Sequence, residues 1–118
     1  MILKYGLAHF DQEDFWAACI SLDEAWQDDP TDYCQGLIYL SGGFYHLQMG
    51  NLCGCRLLLE LAVEWLAPFA WADREGSLAG AVAHTLTLLR AMRAGAGEFR
   101  SLAYPKLGEA ISPAAMAA

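Results

Sequence analysis

One thiol, two carboxylates and one imidazole are the side chains whose types could do chemistry together in this sequence. Cys19 and Asp23 are four residues apart, so they share one face of a helix, and Glu24 comes next in the chain. With His46 they would supply a nucleophile, an acid and a base. This candidate polar site predicts a small-ligand-binding protein or a hydrolase-like enzyme, which is one of two functions that the sequence leaves open.

The expected packing of the helices argues against that site. A short turn near residue 30 would place Cys19 beside Leu40 and carry His46 towards Asp14. His46 then lies in the last turn of its helix, where the helix dipole favours a positive charge. We therefore expect His46 to be structural, and we predict that thiol, acid and imidazole do not assemble.

The cysteines and histidines do not have the spacing of a metal site. Cys53 and Cys55 are two residues apart, which on a helix separates them by about 200° around the axis. The three histidines are scattered, and no glycine loop lies between a strand and a helix. Cys19 and Cys55 fall on apolar stripes, where a thiol behaves as a small hydrophobe. We expect no metal and no cofactor.

The charge of this 118-residue chain is negative and uneven. The formal net charge is −7, and residues 1–32 hold eight acids and one base, whereas residues 33–118 hold six of each. Phosphate backbones and anionic membranes attract Lys and Arg, so neither nucleic acid nor a membrane is expected as a partner. The N-terminus shows no export signal, which predicts a cytoplasmic protein with reduced thiols.

Helical periodicity runs through nearly the whole sequence and predicts an all-α fold, a compact bundle of four to five short helices. We expect helices over residues 12–27, 32–49, 52–66 and 78–93. The second helix is apolar on two sides, so we expect it at the centre of the bundle.

Caps and breakers set the expected helix ends. Asp11, Thr31 and Ser77 are the predicted N-caps, and Pro68 is expected to end the third helix before a connection over residues 67–76. Gly50-Asn51 predicts a tight turn that joins the second and third helices into an antiparallel hairpin.

Small residues recur along the second helix. Gly36, Gly43 and Gly50 are spaced by seven positions, and such a seam lets a neighbouring helix come close. We expect the close neighbour to be Trp16 or Trp26.

The chain is expected to form a single helical domain over residues 1–97, followed by a C-terminal tail over 98–118 that is partly packed on the core or disordered. Ala-Gly-Ala-Gly at 94–97 is the flexible joint, and residues 112–118 are predicted to be disordered. Four apolar residues could fold back onto the core: Phe99, Leu102, Tyr104 and Leu107.

The chain has more aromatic side chains than four short helices can bury, with four Trp, five Tyr and five Phe. Four of them fall off the main apolar stripes: Trp16, Tyr39, Tyr45 and Trp71. Leftover aromatic surface is typical of an interface between copies or with a protein partner. The second predicted function is therefore a non-enzymatic binding or scaffolding domain that acts as a homo-oligomer.

The stretch from Phe10 to Leu66 resembles the helical family known as domain of unknown function 309. The resemblance is carried by Phe15-Trp16, Trp26, Gln35-Gly36-Leu37-Ile38, His46, and Gly50-Asn51 with Gly54. The family's first helix carries a His-Glu-x-x-Glu-x-x-Trp pattern, whose positions read Cys19, Ile20, Asp23 and Trp26 in this sequence. The resemblance implies a small, intracellular, all-helical domain of prokaryotic type and brings no activity with it.

Overall fold

The computed structural model describes residues 2–72, 76–95 and 103–108. Within these residues the chain forms five α-helices and no strand: α1 (Ile2–Asp11), α2 (Phe15–Asp28), α3 (Asp32–Gln48), α4 (Leu52–Ala72) and α5 (Ser77–Arg93). The predicted all-α fold is confirmed.

The middle helix α3 contacts both α2 and α4 and has more buried residues than any other of the five helices. Leu37, Leu40 and Phe44 are completely buried. The Thr31 hydroxyl accepts the backbone N–H of Cys34 at 3.1 Å, which confirms the predicted cap. The central position expected for this helix is therefore the observed one.

Helix α1 is absent from the sequence-based expectation, and the expected cap of the following helix is wrong. Asp14, not Asp11, caps α2 by accepting the N–H of Ala17 at 3.2 Å. Residues 12–14 instead form the turn that separates α1 from α2, and Glu13 adopts a left-handed φ of 62° there. Asp11 and Asp14 both precede the apolar stripe of α2, so the sequence pattern alone does not distinguish which of the two aspartates is the cap.

Helix α4 continues through Pro68 to Ala72, so the predicted end at Leu66 is wrong and residues 67–72 of the expected connection are helical, while 73–75 lie outside the described residues. A proline inside a helix removes one N–H, here the one that would reach the carbonyl of exposed Glu64. Beyond it, the ring of Phe69 packs edge-on against Tyr33 with centroids 5.3 Å apart. This contact with α3 stabilises the last turns in spite of the proline.

The glycines of α3 receive leucines of α4, which corrects the expected neighbours Trp16 and Trp26. A Cβ at Gly36 would lie 2.6 Å from Leu66 Cδ2, and one at Gly43 would lie 2.7 Å from Leu59 Cγ. The order of these contacts shows that α3 and α4 run antiparallel. We call the two contacts the glycine seam.

The turn between α3 and α4 has the predicted chemistry. Gly50 has a φ of 79°, a left-handed conformation that glycine adopts without strain. Asn51 Oδ1 accepts the N–H of Gly54 at 3.0 Å and so caps the start of α4. The predicted hairpin is confirmed.

Helix α5 begins one residue earlier than expected. Its N-cap is Gly76, which makes no side-chain cap bond, so Ser77 is the first helical residue and not the cap. Leu78, Val82 and Leu89 bury the face that packs on the core.

Residues 103–108 cross back over the bundle without regular secondary structure, and we call them the strap. Pro105 and Leu107 are buried, and Tyr104 is half-buried against the core. The other residues expected to fold back, Phe99 and Leu102, and the stretch 112–118 lie outside the described residues.

Candidate functional site

The four residues of the candidate polar site do not form one cluster. Asp23 accepts a hydrogen bond from Gln27 Nε2 at 2.9 Å on the exposed side of α2, and Glu24 beside it is exposed. His46 Nδ1 lies 3.2 Å from Asn51 Nδ2. In the described part of the chain, no hydrogen bond joins any two of Cys19, Asp23, Glu24 and His46.

The thiol that would act as nucleophile is held in its neutral form. Burial raises the pKa of Cys19 to about 11, and burial likewise raises the pKa of Cys55 to about 11. Cys34 also reaches a pKa of about 11, through burial first and then the charges of Asp23 and Asp29. Because the thiolate is the nucleophile and the metal ligand, these cysteines are unreactive at neutral pH.

Metal binding and membrane insertion find no support in the part of the chain that the structure describes. No group of three His, Cys, Asp or Glu side chains over residues 2–72, 76–95 and 103–108 could hold a metal ion. Over the same ranges, every helix is too short or too polar to cross a bilayer.

Two of the four predicted interface residues meet on one side of the bundle. The rings of Trp16 on α2 and Tyr45 on α3 lie with centroids 5.2 Å apart, and Trp16 remains 58% exposed. Ile20 and Met49 are each four residues further along these helices and are also exposed. We call Trp16, Ile20, Tyr45 and Met49 the α2/α3 aromatic face.

The remaining two interface candidates lie elsewhere. Tyr39 is half-buried and packs edge-on against Trp65 of α4, with centroids 5.8 Å apart. Trp71 is exposed in the last turn of α4. The ring of Tyr39 therefore packs on α4, whereas the rings of Trp16 and Tyr45 pack on each other. Ile20 and Met49 were not expected at the surface, although their spacing of four residues from Trp16 and Tyr45 predicts that each shares a helix face with one of these rings.

A shallow cleft of about 300 Å³ opens between α3 and α4. Its lining consists of two carboxylates, two aromatic rings and a proline: Asp32, Glu64, Trp65, Pro68 and Phe69. Carboxylates beside aromatic faces suit a cationic group. Both carboxylates are exposed, however, so water screens them. This cleft was not predictable from the sequence because α4 was expected to end before Pro68.

The fold and these surfaces define a small all-α bundle with no assembled polar centre among the described residues. The family model described as Domain of unknown function (DUF309) matches residues 3–58, which span α1 to the first turns of α4. This part of the chain is similar to that family, which confirms the resemblance inferred from the sequence. No curated protein and no solved structure matches the chain.

Proposed function

We propose that this chain is a non-enzymatic helical binding domain that acts as a homo-oligomer, in the simplest case a homodimer, through the α2/α3 aromatic face. The observation that carries the proposal is the exposed pair of Trp16 and Tyr45, flanked by Ile20 and Met49. Large apolar and aromatic side chains that share one face are typical of the centre of protein interfaces.

A second copy of the chain is the occupant that charge favours. The four side chains of the face carry no charge, in a protein whose formal net charge is −7. Two copies would meet over these four uncharged side chains, which limits the electrostatic repulsion between two acidic chains. A two-fold axis through the face would pair it with itself, as in most homodimers.

The cytoplasm is the proposed location, and proteins rather than nucleic acids are the proposed partners. All four cysteines are free thiols, the state that thiols keep in a reducing compartment. The excess of acids over bases opposes phosphate binding.

Sedimentation equilibrium of three full-length proteins tests the dimer. The proteins are the wild type, Trp16→Ser on the face, and Leu57→Ser on α4 as the matched control. Trp16 and Leu57 are 58% and 61% exposed, so each change replaces a large apolar side chain at a similarly exposed position. Because a tryptophan at an interface centre contributes about 2 kcal/mol or more, we expect Trp16→Ser to weaken the dimer about thirtyfold or more. Leu57→Ser should leave it unchanged.

A wild-type protein that stays monomeric over the whole concentration range would refute the proposal, as would equal weakening by both variants. Thermal unfolding gives an independent measurement, because mass action stabilises a dimer as concentration rises. We expect the melting temperature to fall on hundredfold dilution of the wild type and to fall less for Trp16→Ser. A midpoint that does not move on dilution would contradict the dimer.

A further inference from the structure

The side-chain carboxylate of Asp11 holds the strap by accepting hydrogen bonds from its backbone. Asp11 Oδ1 accepts the N–H of Leu107 and Asp11 Oδ2 accepts the N–H of Gly108, both at 2.6 Å. Hydrogen bonds to an ionised carboxylate are short and are about twice as strong as neutral ones. Each oxygen of Asp11 thus holds one of two successive amides, which sets the register of the segment.

A lysine in the strap is recognised as well. Lys106 Nζ donates to the backbone carbonyl of Asp11 at 2.7 Å and pairs with Glu13 Oε2 at 3.0 Å. That carbonyl is in the last turn of α1, where the helix dipole attracts a cation. The site therefore distinguishes a basic side chain at this position from a neutral or acidic one.

Apolar contacts complete the recognition. Leu107 is completely buried. The ring of Tyr104 lies edge-on to Phe15 at 5.0 Å and to Phe44 at 5.7 Å, and thereby extends the aromatic cluster of α2 and α3. Tyr104 and Lys106 thus have different partners in the groove, while Pro105 and Leu107 are buried between and beside them.

The groove that holds the strap is built from the end of α1, the turn after it, α2 and α3. The hydrogen bonds of Lys106, Leu107 and Gly108 end on Asp11 and Glu13, and the ring of Tyr104 contacts Phe15 and Phe44. Gly108 also lies beside the first turn of α5, because a Cβ at Gly108 would be 3.2 Å from Ser77 Oγ. These contacts are made by the strap's own side chains and amides, so the same segment of a second copy could make them.

We propose that this groove is a peptide-recognition site for an extended Tyr-Pro-Lys-Leu-Gly segment, filled by residues 103–108 of the same chain in a monomer and by the strap of a second copy in an exchanged dimer. Exchange of an identical segment between copies requires no new contact, because each strap finds the same partners. The strap of the same chain is favoured at low protein concentration, since a tether gives an effective concentration of about 1 mM. The proposal does not depend on the α2/α3 aromatic face.

Two full-length variants with complementary defects test it. Leu107→Asp breaks the strap and leaves the groove intact, because Leu107 is completely buried and a carboxylate at that position would lose its hydration. Asp11→Lys breaks the groove and leaves the strap intact, because lysine accepts no hydrogen bond and repels Lys106. Both proteins also carry Trp16→Ser, so that any association through the α2/α3 aromatic face is removed.

We expect each variant alone to sediment as a monomer and their mixture to form a one-to-one complex, joined by the intact strap in the intact groove. Introducing Lys106→Glu into the Asp11→Lys chain should weaken that complex tenfold or more. A synthetic peptide of residues 103–108 should displace the strap and dissociate it.

No complex in the mixture at concentrations near the effective concentration of about 1 mM would overturn the proposal. A complex that is insensitive to Lys106→Glu and to the peptide would overturn it too. Circular dichroism checks that both variants are helical. If Leu107→Asp does not fold, Lys106→Glu with Tyr104→Ala replaces it as the strap-broken chain, with the same expected outcomes.

Discussion

The glycine seam and the strap hold the bundle together by opposite means. In the seam, Gly36 and Gly43 of α3 receive the side chains of Leu66 and Leu59 of α4. In the strap, two backbone amides and one lysine converge on the end of α1. The seam joins helices that follow one another through a tight turn, whereas the strap joins residues that are 96 positions apart.

This difference determines how each contact can fail. Interiors are packed as densely as organic crystals, so the seam is sensitive to added volume rather than to lost polarity. The strap is held through its exposed Lys106 and through the Asp11 carboxylate of α1. Its attachment is therefore sensitive to the loss of a charge or of a hydrogen-bond acceptor. One substitution in the seam and one at the strap therefore distinguish the two kinds of contact.

The largest effect that we predict is destabilisation by Gly43→Ala. The added Cβ would come within 2.7 Å of Leu59 Cγ and within 3.2 Å of the Leu59 backbone nitrogen, so α4 would have to move away from α3. Overpacking of this kind costs about 1 to 3 kcal/mol, which exceeds the gain of about 1 kcal/mol from the higher helix propensity of alanine. Urea denaturation should show a lower midpoint.

The adjacent Gly42→Ala is the matched control for Gly43→Ala. There the nearest atom is Leu58 Cδ1 at 3.2 Å, the end of a half-buried side chain that can rotate. We expect a free energy of unfolding close to that of the wild type. Equal destabilisation by both changes would show that helix α3 tolerates no added methyl group, and that the seam has no special role.

The next effect is local and concerns the strap. Asp11→Asn keeps one acceptor oxygen but faces the second amide with an NH₂ group, and it removes the charge from both hydrogen bonds. Charge-assisted hydrogen bonds exceed neutral ones by about 1 to 1.5 kcal/mol, so hydrogen exchange of the Leu107 and Gly108 amides should speed up about tenfold. Amides of α3 should keep their protection, because the strap opens separately from the helices.

Asp14→Asn is the control for this measurement, since asparagine and aspartate cap helices equally well. It removes the same charge three residues away and should leave the exchange of Leu107 and Gly108 unchanged. Acceleration by Asp14→Asn as well would attribute the effect to the charge of the region and not to the bonds of Asp11.

The features that the sequence predicts correctly depend on residues that are near one another in the chain. The cap at Thr31 and the turn at Gly50-Asn51 depend on backbone conformations that one or two side chains determine. The close approach of α3 to a neighbour was also predictable from the glycine spacing. Its partner was not, because a stripe of glycines shows that something comes close without showing which leucine fills it.

Distance along the chain explains the errors. Asp11 has the spacing of an N-cap, and nothing in the sequence shows that two amides 96 and 97 positions away bind its carboxylate. Pro68 is a helix breaker by local rules, and the contact of Phe69 with Tyr33 outweighs them. The polar site had the residue types for chemistry, but Cys19 and His46 are on different helices, where only the packing sets their distance.

The smallest effect that we predict is an increase in stability, opposite to the decrease expected for Gly43→Ala in the glycine seam. Gly80 is an exposed glycine in the first turn of α5, and a Cβ there would meet nothing within 4 Å. Alanine restricts the unfolded chain and favours the helix, so Gly80→Ala should stabilise the protein by about 0.5 to 1 kcal/mol in urea denaturation. The same substitution would then destabilise at Gly43, change little at Gly42 and stabilise at Gly80. Because the three sites differ in the space around the glycine, a loss of stability at Gly80 would contradict the steric origin that we assign to the seam.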